Sequence, residues 1–279
     1  MKAGDLESAR RHCRIEYRLN ALIAAYPKPV AAFMNGIVMG GGVGISAHAN
    51  HPAAAERTVV ATPECAVGFV PDAGSADILA RAPGRCSEYI GLTGVQLDAA
   101  DAIHAGFARA LVSSAPLPAL VKAFAESGDP DVICAFDGPI GRPSGLEMRQ
   151  ASIDVVFSAE TIPAVMESLD RLPDDRWRDE TRRQLSRGSP LSLAATLRSI
   201  RHVRLRPGIA SAVRTQYRIA ARCMERGEFP EGVRAAIIDR DRAPRWRYGH
   251  GSEVPEAVID SFLAPLEGGD LVIDTAMPG

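Results

Sequence analysis

Four glycines within five positions, Gly40, Gly41, Gly42 and Gly44, follow a short apolar stretch and open a helix-compatible one in Asn35-Gly-Ile-Val-Met-Gly-Gly-Gly-Val-Gly-Ile-Ser46. Glycine admits backbone conformations closed to other residues and lets a ligand approach the main chain. The N–H groups of a first helical turn have no partner within the helix, so such a turn can stabilise developing negative charge. The same glycines also suit a tight strand-to-helix packing corner. The spacing misses the nucleotide fingerprints, since no Lys-Ser or Lys-Thr follows the glycines as in a P-loop.

The surrounding pattern is α/β. Residues 6 to 25 form an amphipathic helix, with Ile15, Leu19, Leu22, Ile23 and Tyr26 recurring at helical spacing, Asp5 as its cap, and Pro27 and Pro29 ending it. Val30 to Met34 reads as a strand buried on both faces, closed by an Asn35-Gly36 turn. A helix start at Val43 to His48 and short apolar segments at 57–61 and 67–70 follow, the last two broken by Pro63 and Pro71. From residue 76 helices separated by glycines take over, with one last strand at 108–112. This predicts an α/β core over 1–127, a Gly-, Pro- and Asp-rich loop or linker over 128–146, and a helical region over 147–279, in which Ser189-Pro190 starts one helix and Pro207-Gly208 ends it.

Composition removes several classes of function. A chain of 279 residues, 46% hydrophobic, can bury a sizeable core. With 32 Lys and Arg against 34 Asp and Glu, it has no overall field to attract nucleic acid or acidic membrane. Cys13, Cys65, Cys86, Cys134 and Cys223 are scattered and odd in number, which argues against a disulfide framework and for a reducing cytoplasm. The charged N-terminus and the lack of a long apolar stretch predict no signal peptide and no membrane partner.

Glu64 follows Pro63 and Asp72 follows Pro71, placing two carboxylates at neighbouring loop ends downstream of the glycine turn. Two such groups divide general-base and proton-donating roles when their environments separate their pKa values. Taken alone, either is an ordinary turn carboxylate. His48 and His51 have no second metal-ligand pair, so no metal is implied. Ser46 lacks a nucleophile elbow, Cys65 has no nearby histidine, and the arginines of residues 198–206 read as a solvated face.

Three segments, Lys28–Ala49, Thr62–Ser75 and Gly227–Trp246, resemble the 3-hydroxyisobutyryl-CoA hydrolase branch of the enoyl-CoA hydratase/isomerase, or crotonase, superfamily. Phe229, Glu231, Gly232, Val233, Arg234, Asp239, Pro244 and Trp246 carry the likeness to that branch, and Ser189-Pro190-Leu191-Ser192 and Tyr217-Arg218 fit it too. The resemblance implies a crotonase-type spiral core, an acyl-CoA substrate, and hydrolysis of a short 3-hydroxyacyl-CoA thioester, 3-hydroxyisobutyryl-CoA in valine catabolism. No cofactor is implied beyond the coenzyme A of the substrate, and homo-oligomers are common in the superfamily. It assigns Gly41, with Gly40 beside it, to polarising the thioester carbonyl. Glu64 becomes the principal catalytic carboxylate, attacking the carbonyl carbon or activating water. Asp72 meets the substrate 3-hydroxyl and assists proton transfer, and Glu16 lines the substrate pocket.

Departures from the family pattern cluster near the site: Cys65-Ala66 for Thr-Gly, Asn35 for Asp, and Ala73 with Ser75 within the usual Pro-Asp-Val-Gly-Gly. The chain is also expected to be N-terminally incomplete, without the family's first strands and the Gly-Gly-Asp turn that supplies a second oxyanion donor, a loss that costs ~100-fold or more in rate. Ala3-Gly4-Asp5-Leu6 mimics that turn but lies too close to Lys28. Two other functions stay open from the sequence: enoyl-CoA hydration or isomerisation, and an inactive crotonase-fold binding or assembly subunit.

Overall fold

The computed structural model of the chain describes residues 6–136, 138, 141–249 and 254–273. Asp5, expected to cap the first helix, lies outside the described residues, as do Ala3 and Gly4. The elements run α1 (Leu6–Ala25), β1 (Ala31–Met34), β2 (Ile37–Met39), α2 (Gly41–Ser46), β3 (His51–Ala54), β4 (Val59–Ala61), a 3₁₀ turn at Glu64–Val67, α3 (Ser75–Arg81), α4 (Cys86–Thr93), α5 (Ala99–His104), β5 (Ala110–Leu111) and α6 (Leu117–Ser127). A 3₁₀ turn at Pro130–Phe136 then leads to α7 (Gly145–Phe157), α8 (Ile162–Asp170), α9 (Arg176–Arg187), α10 (Pro190–Leu205), α11 (Ile209–Glu225), α12 (Phe229–Val233), a π turn at Arg234–Ile238 and α13 (Glu256–Leu263). Among the described residues, everything regular after β5 is helical, in keeping with the α/β core and helical C-terminal region expected from the sequence.

The strands make two small parallel sheets, β1-β3-β5 and β2-β4. The chain takes one course twice. β1 bends at Gly36, whose φ of +150° suits glycine, into β2 of the other sheet, and β3 bends into β4 alongside. Thr58 ties the two bends together: its hydroxyl donates to the Met34 carbonyl at 2.6 Å and accepts from the Ala55 N–H at 2.9 Å. Stacking one bend on the other produces a spiral, with the parallel strands linked through α2 and longer connections.

β1, β4 and β5 fall inside the apolar runs that mark them. β2 and β3 had no such signal, because β2 sits in the glycine-rich stretch and β3 is His51-Pro-Ala-Ala54, where proline and alanine both argue against a strand. The apolar run at 67–70 forms no strand. Val67 ends the 3₁₀ turn, Gly68 takes a left-handed φ of +73°, and the Phe69 N–H returns to the Glu64 carbonyl at 3.1 Å.

α1 forms as expected but buries the other face. Ala9, Cys13, Tyr17, Asn20 and Ala21 face inward, while Ile15, Leu19, Leu22 and Tyr26 are exposed. Small residues let α1 lie close to α11 and α2, which the bulkier stripe would prevent. Residues 128–146 were expected as a loop. Among those described, Ile133 of the 3₁₀ turn is buried, and Ser144 caps α7 by accepting from the Glu147 N–H at 3.2 Å. Proline and glycine interrupt regular helix there without preventing packing. The largest apolar cluster joins Met34, Val60 and Leu79 to Ile153, Leu169 and Leu197, so one core spans both sides of this segment.

Candidate active site

β2 and β4 are paired in parallel, with Met39 beside Ala61, so their C-terminal ends deliver Gly40–Gly41 and Thr62–Glu64 to the same place. Ligands of open α/β sheets bind at the carboxyl ends of strands for this reason. Gly40 has a φ of +52° and a ψ of −126°, and its carbonyl accepts from the Val43 N–H at 2.9 Å, closing the first turn of α2. A Cβ on Gly41 would lie 2.8 Å from the Glu16 Oε1 of α1, and one on Gly44 would lie 2.5 Å from the Asn20 amide nitrogen and 2.8 Å from the Ala73 Cβ. The glycine run thus serves both of its readings. Gly44 is a packing glycine where α1 crosses α2, and Gly40–Gly41 opens the backbone beside the carboxylates.

Three carboxylates converge there: Glu16, Glu64 and Asp72. Burial, then the charge of Asp72, drive the Glu64 pKa well above the ordinary glutamate value, against hydrogen bonding from the backbone of Glu64 and Gly40. Its Oε2 is enclosed and has no hydrogen-bond partner among the described residues. Burial and the charge of Glu16 push the Asp72 pKa from 3.8 up to about 7, opposed by its own backbone and by the Tyr17 hydroxyl. That hydroxyl is buried without a well-formed hydrogen bond, and burial and Asp72 raise its own pKa too. The Glu64–Asp72 pair therefore holds at least one proton through the neutral range.

This arrangement costs stability. An aspartate whose folded pKa lies above its unfolded value binds more protons when folded, so stability falls as pH rises from about 4 to about 7. Asp72→Asn should raise the unfolding free energy by about 1–3 kcal/mol at pH ~8, with the gain vanishing near pH ~4. Denaturant titrations of both proteins at the two pH values check this. An equal gain at both would assign it to something other than the Asp72 charge.

The C-terminal helices buttress the Glu64 turn. The Ser189 N–H, at the start of α10, donates to the Cys65 carbonyl at 2.9 Å, and the Cys65 thiol lies 3.3 Å from the Thr196 hydroxyl. The buried Glu228 carboxylate accepts from the Ser189 hydroxyl and from the Arg247 N–H. The Phe69 and Phe229 rings meet at 4.8 Å. A Cβ on Gly232 would stand 2.0 Å from the Val67 carbonyl oxygen, backbone against backbone. Gly232→Ala must displace one of the two. Turnover should fall about 10–100-fold while far-UV circular dichroism is retained, and unchanged turnover would separate this contact from Glu64 placement.

The structure brings together Glu16, Gly40, Gly41, Glu64 and Asp72. His48 is a buried, satisfied histidine, its Nε2 3.0 Å from the Ala73 carbonyl, and burial lowers its pKa. Ser46 donates back to the Gly42 carbonyl at 2.6 Å. Burial raises the thiol pKa values of Cys13, Cys65 and Cys86 to about 12, so none is a ready nucleophile. Among the described residues, no His, Cys, Asp and Glu side chains group as metal ligands, and no helix is long and apolar enough to cross a membrane. Tyr17, Asn20, Gln216 and Glu228 had no sequence signal, because each is an isolated polar residue on an otherwise apolar helix face or at a helix end. Only a buried polar side chain's need for a partner identifies them, and burial is visible in three dimensions only.

Residues 1–263 match the family described as enoyl-CoA hydratase/isomerase. The chain is 35% identical over 269 residues to 3-hydroxyisobutyryl-CoA hydrolase 1 of Arabidopsis thaliana, covering 91% of this chain and 71% of that protein. It resembles the crystal structure of an enoyl-CoA hydratase from Rhodobacter sphaeroides 2.4.1, with a TM-score of 0.90 and 39% identity over 97% of this chain and 78% of that one. A carnitinyl-CoA dehydratase from Mycobacterium thermoresistibile is also similar, with a TM-score of 0.90 and 32% identity at the same coverage.

Proposed function

The chain belongs to the enoyl-CoA hydratase/isomerase family and has its fold, and from that premise we propose that it hydrolyses a short 3-hydroxyacyl-CoA thioester, 3-hydroxyisobutyryl-CoA first among them. The observation that supports this reading most is the enclosed Glu64–Asp72 pair beside the Gly40–Gly41 turn. A thioester needs its carbonyl oxygen polarised, its carbon attacked and its leaving thiolate protonated. The Gly41 N–H serves the first need. Glu64 serves the second, by direct attack to form an anhydride or by taking a proton from water. The proton held by the pair serves the third: the C–S bond breaks, its electron pair leaves with sulfur, and the proton passes to the thiolate. One water is consumed, and the products are the hydroxy acid and free coenzyme A. Asp72 meets the 3-hydroxyl of the acyl group, and Glu16 closes the pocket on the α1 side.

The likeness to an enoyl-CoA hydratase and a carnitinyl-CoA dehydratase favours a second reading, hydration of an enoyl-CoA, in which Glu64 and Asp72 would deliver one water across a double bond. A single assay separates the two. With 3-hydroxyisobutyryl-CoA and crotonyl-CoA offered in parallel, hydrolysis releases free thiol from the first. Hydration removes the double bond of the second without thiol release, and that result would overturn the hydrolase reading.

A further inference from the structure

The turn that carries Asp72 does not hold its shape by itself. Ala73 has a φ of +52°, in a region that non-glycine residues occupy at a cost, and Gly74 follows at +80°. Among the described residues, one backbone bond closes this turn, from the Ser75 N–H to the Asp72 carbonyl at 2.9 Å. The remaining restraint comes from far away in sequence. Gln216, in the middle of α11, is fully buried. Its Oε1 accepts from the Gly74 N–H at 2.9 Å, and its Nε2 donates to the Pro71 carbonyl at 2.8 Å and to the Ser75 hydroxyl at 3.4 Å. One planar amide therefore grips the chain on both sides of Asp72. The His48 ring lies 3.0 Å from the Ala73 carbonyl between these two holds.

A buried amide among Val213, Ile219 and Ala220 is costly unless each of its polar atoms is paired, and among the described residues its partners all belong to the Asp72 turn. We propose that Gln216 is the positioning residue of Asp72, fixing the strained turn so that the carboxylate faces Glu64 and the glycine turn. This rests on the acid–base role given to Asp72 above. The titratable groups facing Asp72 are Glu16, Tyr17 and Cys13 of α1 and Glu64 of the 3₁₀ turn. If the turn relaxes, Asp72 gains solvent and draws away from Glu16, and both changes lower its pKa.

The test is a double-mutant cycle on thiol release, pairing Gln216→Met, close in size but without the amide, with Asp72→Asn. In the wild-type background Gln216→Met should lower kcat about 10–100-fold with KM within about threefold, and move the acidic limb of the kcat/KM profile downward. In the Asp72→Asn background the same change should cost less than about threefold. Equal losses in both backgrounds, or an unmoved acidic limb, would overturn the proposal. If Gln216→Met does not fold, Gln216→Glu goes through the same cycle, since it keeps an acceptor for the Gly74 N–H, and the same outcomes decide. Should Asp72→Asn alone leave thiol release intact, the role of Asp72 itself fails. Should Asp72→Asn be impaired while the losses multiply, only the role of Gln216 fails.

Discussion

Glu64→Gln is expected to lower kcat for thioester hydrolysis by on the order of 10²–10⁴-fold while leaving the fold intact. The substitution keeps the size of the side chain and an oxygen to accept from the Gly40 backbone. It removes the carboxylate that, on the proposed mechanism, attacks the carbonyl carbon or takes a proton from water. An uncharged group in this enclosed place relieves the repulsion with Asp72, so the melting temperature should stay level or rise. Thiol release and thermal unfolding measured on the same preparations check both halves. Full turnover by the Glu64→Gln protein would remove Glu64 from the chemistry.

The second large effect is on stability. Glu88 of α4 is fully buried, and three arginines meet its carboxylate: Arg85 at 2.9 Å, Arg204 at 2.9 and 2.8 Å, and Arg201 at 3.5 Å, with the Ser87 hydroxyl donating at 2.6 Å. Burial pushes the Glu88 pKa up, but the hydrogen bonds from Arg204 and Ser87 and the charge of Arg204 outweigh it and leave the value lowered. Arg201 reaches on to the carbonyls of Phe157 at 3.2 Å and Ala159 at 2.7 Å at the end of α7. One carboxylate thus links α4 and α10 directly and α7 through Arg201. Replacing all members of a buried ion cluster by apolar groups is often neutral, but deleting one partner leaves the others uncompensated. Glu88→Ala should cost about 3–5 kcal/mol, lowering the melting temperature by roughly 10 °C. Because Glu88 has its lowered pKa only when folded, its contribution is present above the ordinary glutamate pKa and fades as pH falls through the folded value. The gap between wild type and Glu88→Ala should therefore narrow in acid, and a pH-independent gap would point to lost packing instead.

What the sequence disclosed and what it hid have separate physical causes. Gly40, Gly41, Glu64 and Asp72 were legible because turn chemistry is local: a glycine run after an apolar stretch, and carboxylates after Pro63 and Pro71, announce themselves within a few residues. Their meeting in space was legible only through the family resemblance, since the parallel pairing of β2 with β4 spans more than twenty residues and β2 has no strand signal of its own. The inward face of α1 was hidden for a related reason. Its Ile15, Leu19 and Leu22 carry the stronger helical periodicity, yet the close crossing at Gly44 selects the Tyr17–Asn20 face. Gln216 and Glu228 act across distances that no local pattern encodes.

Whether Glu64 and Asp72 work as one pair with a shared proton is tested most directly by the pH dependence of kcat/KM for thiol release. In the proposed mechanism the active form carries one proton, with Glu64 ionised to attack and Asp72 protonated to donate. Activity should rise with pH as the first proton leaves the pair at about 7 and fall again once the second leaves at higher pH, since burial and then the Asp72 charge raise Glu64. Asp72→Asn, which removes the proton donor, should abolish the fall at higher pH and leave a single rise, that of Glu64 ionisation, moved to lower pH by loss of the Asp72 charge. A profile that is flat through the neutral range, or one that Asp72→Asn leaves unchanged, would contradict the pair.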